Sequence, residues 1–312
     1  MKGIKRFLLI ICSFVIPILL LYPIDYVYSR IAMRSNLIRI EAWYDMISSK
    51  KDADVLAMGS SRAYRHINPL VLDSVLGVNS YNMGITGSAF NRQMHKYNLY
   101  LKDNCKPKLI IQNIDYATMG YTVDLEKVQF LPFFWDRSMR KEIIAYEHFS
   151  FIEKWLPLIR YYGYVDQIPL RTSPRRLTKG YIGTDYPWDG TRYSTVDSIS
   201  FHTDKTTVEM FDGFLAQCKT DNIKVVFVHT PIYIGATNLM TNRDEMFAFF
   251  NERAQKYDIP ILDYAYMEMC YDTTYFHNAT HLNKRASEAF TDILANDIKR
   301  MGIINNSFYN AL

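Results

Sequence analysis

Short apolar runs alternate with longer amphipathic stretches along most of the chain. The short runs are almost continuous in apolar residues, as in strands that are covered on both faces of a sheet. The longer stretches repeat their apolar residues at helical spacing. This pattern predicts strands at residues 53–58, 78–82, 107–115, 223–229 and 259–262, and helices at 88–101, 206–221, 242–257 and 283–301. Residues 62–76 are also predicted to be helical, with a helix start at Asn68-Pro69 within them, and residues 37–51 form a polar, amphipathic stretch.

Helices lie between successive predicted strands, and such strands pair in parallel through right-handed crossovers. We therefore predict a three-layer α/β/α domain with a parallel sheet from about residue 50 onward. Residues 116–200 break the alternation and are rich in Tyr, Trp and Phe. We interpret them as an insertion that packs over the C-terminal edge of the sheet, where ligands of such folds bind.

The N-terminal segment has the pattern of a membrane anchor. From Phe7 to Ile24 there are 18 residues without a formal charge, which span about 27 Å as a helix. Basic residues precede this run, at Lys2, Lys5 and Arg6, and indicate a cytoplasmic N-terminus. A cleaved signal peptide is the alternative, but no Ala-x-Ala pattern follows the run. We predict a stub and anchor at residues 1–34, and an α/β/α domain at 35–312 in the periplasm or otherwise outside a bacterial inner membrane.

The net charge agrees with this division of the chain. The whole chain carries +4, and residues 1–34 hold five basic residues against one acidic residue. The remainder is therefore neutral, which excludes a basic nucleic-acid-binding body. Outside the apolar run, Cys105, Cys218 and Cys270 are too widely spaced for a zinc site. Their redox state stays open, since one disulfide or three buried thiols would fit an oxidising compartment.

Two short segments carry most of the chemical signal. Gly59-Ser60-Ser61-Arg62 follows the first strand, and a serine on such a turn exposes its hydroxyl beside backbone N–H groups. His281 comes just before the last helix, three residues after Asn278. It has the position of a general base whose tautomer the earlier side chain would fix. Serine-rich turns and capping residues are common by themselves, so the pairing of the two segments is the more specific signal.

The order and spacing of these segments resemble those of the SGNH (GDSL-like) hydrolases. The family has Gly-Asp-Ser-Leu after its first strand, and Gly59-Ser60-Ser61-Arg62 matches that block with Ser61 as nucleophile. The resemblance covers about residues 52–116 and 205–300 and implies a flavodoxin-like parallel sheet and no cofactor. It assigns catalysis to Ser61, His281 and Asn278. It assigns the oxyanion hole to the N–H groups of Ser61 and Gly84 together with the side chain of Asp115. If the register of the third strand slips by two residues, Asn113 takes the place of Asp115. The anchor and the Gly-Ser-Ser variant resemble the bacterial branch involved in O-acylation of cell-envelope polymers.

Two residues depart from the family pattern. Asn278 stands in place of the triad Asp, so it can orient His281 but brings no charge to the imidazolium that forms. Asp263 or Asp272 would be the alternative carboxylate. Asp115 stands where the family has an Asn whose side chain donates to the oxyanion, and an ionised carboxylate there would be repulsive.

Other motifs add little. His277 and His281 have the spacing of a zinc pair, but Asn278 replaces the zincin Glu and the segment reads as a loop. We therefore predict no metal, and no Gly-rich phosphate motif occurs. Arg62 adjoins the nucleophile and would bind an acidic or polyhydroxylated substrate, unless it pairs with a local carboxylate.

Two functions of different classes follow from these residues. The first is a membrane-anchored, envelope-facing serine esterase or O-acyltransferase that acts on an acylated glycan or another envelope polymer. The second is a catalytically impaired SGNH-like module that binds a glycan or an envelope assembly partner through its aromatic insertion. Activity of the serine separates the two hypotheses.

Overall fold

A computed structural model describes residues 2–122, 126–169, 176–190 and 198–304. In chain order the helices are α1 (Lys2–Ala32), α2 (Ile38–Ile47), α3 (Ser61–His66), α4 (Pro69–Leu76), α5 (Phe90–Tyr100), α6 (Arg137–Tyr146), α7 (Phe151–Trp155), α8 (Lys205–Thr220), α9 (Ile234–Thr237), α10 (Arg243–Tyr257) and α11 (Lys284–Arg300). The strands are β1 (Val55–Met58), β2 (Ser80–Asn82), β3 (Leu109–Asn113), β4 (Lys224–His229), β5 (Ile261–Asp263), β6 (Phe276–Asn278) and β7 (His281–Leu282). Short 3-10 helices occur at Lys127–Gln129, Leu131–Trp135, Ile159–Tyr161, Val165–Gln167, Glu268–Tyr271 and Thr273–Tyr275.

The chain forms two compact units. One, the helical unit, consists of residues 1–48 and 123–176, and the other, the α/β unit, consists of residues 49–122 and 177–312. The sequence analysis drew its boundary at residue 34 instead. The structure groups residues 35–48 and most of the aromatic insertion with the N-terminal helix, whereas residues 177–190 belong to the α/β unit.

A five-stranded parallel sheet forms the centre of the α/β unit. Its order is β2-β1-β3-β4-β5, and every neighbouring pair is parallel. This confirms the predicted parallel sheet and its flavodoxin-like order. In that order the chain leaves β1 and β3 in opposite directions, so the crevice beyond their C-terminal ends is where ligands of such sheets bind.

Helices cover both faces of the sheet because alternate strand residues point to opposite sides. On one face Val226 and Val228 are buried with Phe290 of α11. On the other face Phe227 packs against Phe211 of α8, with ring centroids 5.7 Å apart, and against Phe250 of α10 at 5.8 Å. The three-layer α/β/α arrangement predicted from the sequence is therefore confirmed.

The helix start predicted at Asn68-Pro69 is confirmed, and it divides residues 62–76 into two helices. Asn68 caps α4 by accepting the N–H of Leu70, and Pro69 supplies no N–H to continue α3. One element differs from the sequence prediction. The segment before the last helix, predicted as a loop, is an antiparallel pair in which β6 and β7 place Asn278 opposite His281.

The helical unit is organised around α1. The most apolar 18-residue stretch within residues 10–32 of this helix has a mean hydropathy of 2.1, and residues 10–32 are long enough to cross a membrane. Its last turns are nevertheless packed on protein, since Asp25 is only 2% exposed. The carboxylate of Asp25 accepts hydrogen bonds from Arg160 Nη2 at 2.8 Å and from Trp135 Nε1 at 3.0 Å. A buried charge needs such partners, which explains why the insertion stays with α1.

The four cysteines are free thiols. Cys218 and Cys270 are buried, whereas Cys12 and Cys105 are exposed. Neither possibility left open by the sequence holds in full, because the described residues contain no disulfide and Cys105 is exposed rather than buried.

Candidate active site

A tight turn after β1 carries the candidate nucleophile. Gly59 has a φ of +150°, and a Cβ at this position would lie 2.7 Å from Asn113 Cβ and 2.8 Å from Ala63 Cβ. Only glycine fits there. Ser60 then caps α3, because its Oγ accepts the N–H of Arg62. Ser61 is thus the first residue of α3, where backbone N–H groups have no partner within the helix.

The β6–β7 hairpin brings the histidine to this serine. His281 Nε2 lies 2.8 Å from Ser61 Oγ. On the other side of the ring, His281 Nδ1 lies 2.9 Å from Asn278 Oδ1. The structure therefore brings together the three residues that the resemblance assigns to catalysis. Ser61 and His281 are 220 residues apart in the sequence. The distances are those of a nucleophile, a base and a group that orients the base.

The hydrogen bonds around Asn278 determine the tautomer of the histidine. The backbone N–H of Thr280 donates to Asn278 Oδ1 at 3.2 Å, and a donor requires an oxygen at that position. Because Asn278 therefore presents an acceptor, His281 Nδ1 must carry the hydrogen. His281 Nε2 is then free to accept the hydroxyl hydrogen of Ser61. Asn278 thus fixes the tautomer that the Asp of a triad would fix.

The surroundings of His281 disfavour its protonation. Burial, followed by the positive charges of Arg65 and Arg62, lowers the pKa of His281 to about 3. The two carboxylates that the sequence offered as substitutes have other partners. Asp263 lies 3.2 Å from His229 Nδ1 and pairs with Arg243, and Asp272 accepts the N–H of Thr274. The carboxylate of Asp189 does raise the pKa of His281, but burial and the two arginines outweigh it, so the imidazole is oriented with little electrostatic support.

A second histidine, His66, holds the hairpin in place. The backbone N–H of Leu282 donates to His66 Nε2 at 3.1 Å, so His66 Nδ1 donates to Thr230 Oγ1 at 3.0 Å. Its ring lies edge-on to that of His281, with centroids 6.1 Å apart. Burial, then the neighbouring His281, lowers the pKa of His66 well below its usual value. The separation of His66 from His281 in the sequence gives no signal of this contact.

Most of the predicted oxyanion hole has other hydrogen-bond partners in the structure. The N–H of Gly84 donates to Asn82 Oδ1 at 2.9 Å, and a Cβ on Gly84 would lie 2.5 Å from Tyr64 N, so glycine is needed for close packing. Asn113 Nδ2 donates to the carbonyl of Val228 at 2.9 Å. The amide of Asn113 therefore ties β3 to β4 rather than facing the nucleophile.

Asp115 has a supporting position instead of an oxyanion position. Its Oδ2 accepts the hydroxyl of Ser60 at 2.7 Å, and its Oδ1 accepts the N–H of Ala117 at 2.9 Å. The carboxylate thus holds the residue that caps α3. The other groups that the resemblance assigned to the oxyanion hole are hydrogen-bonded within the fold, which leaves the N–H of Ser61 as the donor for an oxyanion.

Arg62 points into the protein rather than toward the site of the nucleophile. It is 3% exposed, and its guanidinium donates to the carbonyl and the hydroxyl of Thr230. Adjacent residues of a helix point about 100° apart, so Arg62 is turned away from the side on which Ser61 lies. The cation on that side is Arg65, one helical turn after Ser61, which donates to Thr184 Oγ1. The spacing of four residues was the signal that could have identified Arg65.

Fold and site together define an α/β/α protein in which a serine after the first parallel strand is hydrogen-bonded to a histidine before the last helix. No protein-family model and no curated protein matches the sequence. Solved structures similar to the chain include a protein described as lipolytic and of the G-D-S-L family from Desulfitobacterium hafniense, with 11% identity and a TM-score of 0.41 over 78% of this chain and 97% of that one. A second is a protein described as an acylhydrolase from Bacteroides fragilis, with 12% identity and a TM-score of 0.40 over 85% and 97%. A third is a GDSL-like lipase from Bacteroides thetaiotaomicron, with 11% identity and a TM-score of 0.39 over 88% and 98%.

Proposed function

We propose that the protein is a membrane-anchored serine esterase or O-acyltransferase of the SGNH type. Its substrate would be an acyl ester of a glycan or another polymer of the bacterial cell envelope. The helix α1 would cross the cytoplasmic membrane, with the N-terminus inside and the α/β unit in the periplasm or otherwise outside. The observation that carries the chemistry is the chain of contacts from Ser61 Oγ through His281 to Asn278 Oδ1.

In the proposed reaction Ser61 Oγ attacks the carbonyl carbon of the ester while its proton passes to His281 Nε2. The N–H of Ser61 donates to the oxyanion that forms. Collapse of the tetrahedral intermediate expels the alcohol oxygen, which takes the proton from His281, and leaves an acyl group on Ser61. Water or a sugar hydroxyl then gives its proton to His281 Nε2 and attacks this acyl group. The bond to Ser61 Oγ breaks, and His281 returns the proton to that oxygen, which regenerates the serine. Hydrolysis and transfer use the same residues and differ only in the acceptor.

The positive charge beside His281 indicates which substrates the site would favour. Arg65 and Arg62 both lower the pKa of His281, and Arg65 is the one that lies on the side of Ser61. An electropositive site stabilises the negative charge that develops on the carbonyl oxygen. It also favours acidic polymers over neutral ones. We therefore expect Arg65, rather than Arg62, to contribute to recognition of the acyl acceptor.

A fluorophosphonate probe tests the proposed nucleophile. The full-length chain in lipid nanodiscs should be labelled at Ser61, as read by mass spectrometry. The variant Ser61→Ala should lose the label, and the matched variant Ser49→Ala, at a serine away from the turn, should keep it. Release of an acyl group to water or to a glycan hydroxyl then distinguishes the esterase from the transferase. A wild-type chain without label at Ser61 would contradict the proposal.

One observation favours the second candidate, a binding module without catalysis. The N–H of Gly84 and the amide of Asn113 are both occupied by hydrogen bonds within the fold, so fewer donors are available to an oxyanion. This candidate predicts no labelling of wild type or of Asn278→Asp, together with measurable binding of an envelope glycan. Glycan binding by a wild-type chain that the probe does not label would support it.

A further inference from the structure

A run of large apolar side chains in the helical unit points away from its core. Phe151 is 76% exposed, Trp155 52% and Tyr162 87%. Ile152, Ile159 and Val165 are also exposed. We call this set the 151–165 patch. Burying one such side chain contributes about 1.5–3 kcal/mol, so a protein exposes such a patch where something covers it.

The 151–165 patch lies beside the end of the membrane helix. The hydroxyl of Tyr22 in α1 donates to the carbonyl of Trp155 at 2.6 Å. Trp135 packs edge-on against Tyr22 and Tyr26, with ring centroids 6.4 Å and 5.5 Å apart. The charge-free part of α1 ends just beyond Tyr22, because Asp25 follows and is bound to the protein. Trp155 is therefore level with the end of the charge-free run, and Tyr161, whose ring centroid lies 4.6 Å from that of Tyr28, is level with the following turns of α1.

The polar groups at this level are those of a membrane–water interface. A cavity of about 250 Å³ is lined by Tyr22, Trp135, Arg140, Lys154 and Trp155 among others. The guanidinium of Arg140 lies over the Trp155 ring, 4.8 Å from its centroid. Trp and Tyr are enriched where lipid headgroups meet acyl chains, and Arg and Lys there bind headgroup phosphates.

We propose that the 151–165 patch is immersed in the interface of the same bilayer that α1 crosses, with Arg140 and Lys154 facing the lipid phosphates. The exposed apolar side chains, the Trp and Tyr rings and the cations all lie where α1 leaves the apolar layer. Because a membrane interface binds all three kinds of group, lipid is the occupant that fits the patch. The proposal rests on the membrane-spanning role of α1 in the proposed function. It adds that the protein has a second attachment to the membrane besides its anchor.

The tryptophans of the chain provide a direct test. The chain has four, none of them in α1. The full-length chain is reconstituted in vesicles of phosphatidylethanolamine and phosphatidylglycerol that carry bromine near the headgroup end of the acyl chains. We expect bromine to quench the fluorescence, and the double variant Trp135→Phe/Trp155→Phe to lose most of that quenching. The matched double variant Trp43→Phe/Trp188→Phe should retain it, because Trp43 is buried and the Trp188 ring packs on that of Tyr233, with centroids 5.2 Å apart.

A second variant perturbs the patch without touching a buried side chain. Phe151→Glu/Ile152→Glu should reduce quenching of Trp155 by bromine and increase its quenching by aqueous acrylamide. Flotation of the vesicles separately reports whether α1 inserts, and labelling of Ser61 reports on the catalytic proposal. Insertion without bromine quenching would overturn the immersion of the patch. Shielding of Trp155 from both quenchers would also overturn it, since a protein partner or a second copy would then cover the patch. A chain that does not float would overturn the anchor and the patch together.

Discussion

Replacing Asn278 by Asp should convert the oriented histidine into an electrostatically supported one. In the wild type Asn278 Oδ1 lies 2.9 Å from His281 Nδ1 and fixes the tautomer. Burial and two arginines hold the pKa of His281 at about 3, so the wild-type base is oriented but weak. A carboxylate at the same position keeps the orientation and adds a negative charge next to the imidazolium that forms during attack by Ser61.

The expected gain follows from the distance between the two groups. Unit charges about 4 Å apart near a protein surface attract by about 4 kcal/mol. Partial burial of the new carboxylate removes some of this energy. Since each 1.4 kcal/mol changes a rate by about tenfold, the variant should react with the fluorophosphonate about 10 to 1,000 times faster than the wild type. Asn278→Ala, which loses the acceptor, should react more slowly, by up to about 10⁴ as for a wrong tautomer.

The pH dependence of labelling provides the sharper assay. Only neutral His281 accepts the proton of Ser61, so activity falls as pH decreases through the pKa of His281. The wild-type rate should therefore be flat down to about pH 4, because that pKa is about 3. In Asn278→Asp the carboxylate raises the pKa, so the decline should begin at higher pH. Asn283→Asp, which adds the same charge at the cap of α11, should leave both the rate and its pH dependence close to wild type. An unchanged or slower rate in a folded Asn278→Asp variant would refute the reasoning.

Three further results are expected. Gly59→Ala should destabilise the protein by about 2–6 kcal/mol and abolish labelling of Ser61, because it combines a strained φ with two close carbon contacts; wild-type thermal stability would contradict this. Arg160→Gln should destabilise the helical unit by about 3–5 kcal/mol by leaving Asp25 buried without its cation, as measured by limited proteolysis in nanodiscs, and Asp25→Asn in the same chain should restore most of the loss. The free energy of unfolding should decrease between pH 6.5 and pH 5 by about 2 kcal/mol for each histidine that the fold keeps neutral, because the unfolded chain then binds the extra proton. These histidines are His66, His229 and His281, and a stability that is independent of pH over this range would disprove the assignment.

The fold could be predicted from local patterns because its main elements have strong ones. The β-branched run that ends at His229 and the helix at Asn283 each appear within a residue or two of their predicted positions. The hairpin of β6 and β7 was missed, since two and three residues are too few for a periodic signal. The break between α3 and α4 was visible in Asn68-Pro69, but only the observed cap shows that the helix ends there.

Within the site, the sequence by itself determined which residue types stand at the ends of the strands. A serine after a Gly turn and a histidine three residues after an Asn are local patterns, and parallel strand order brings them to one edge. Only the tertiary structure decided which side chains are free to act. The amides of Gly84 and Asn113, the carboxylate of Asp115 and the guanidinium of Arg62 all bind partners within the fold. Buried polar groups are hydrogen-bonded, and their partners come from elements up to 220 residues apart in the chain. A local sequence pattern contains no information about such distant contacts.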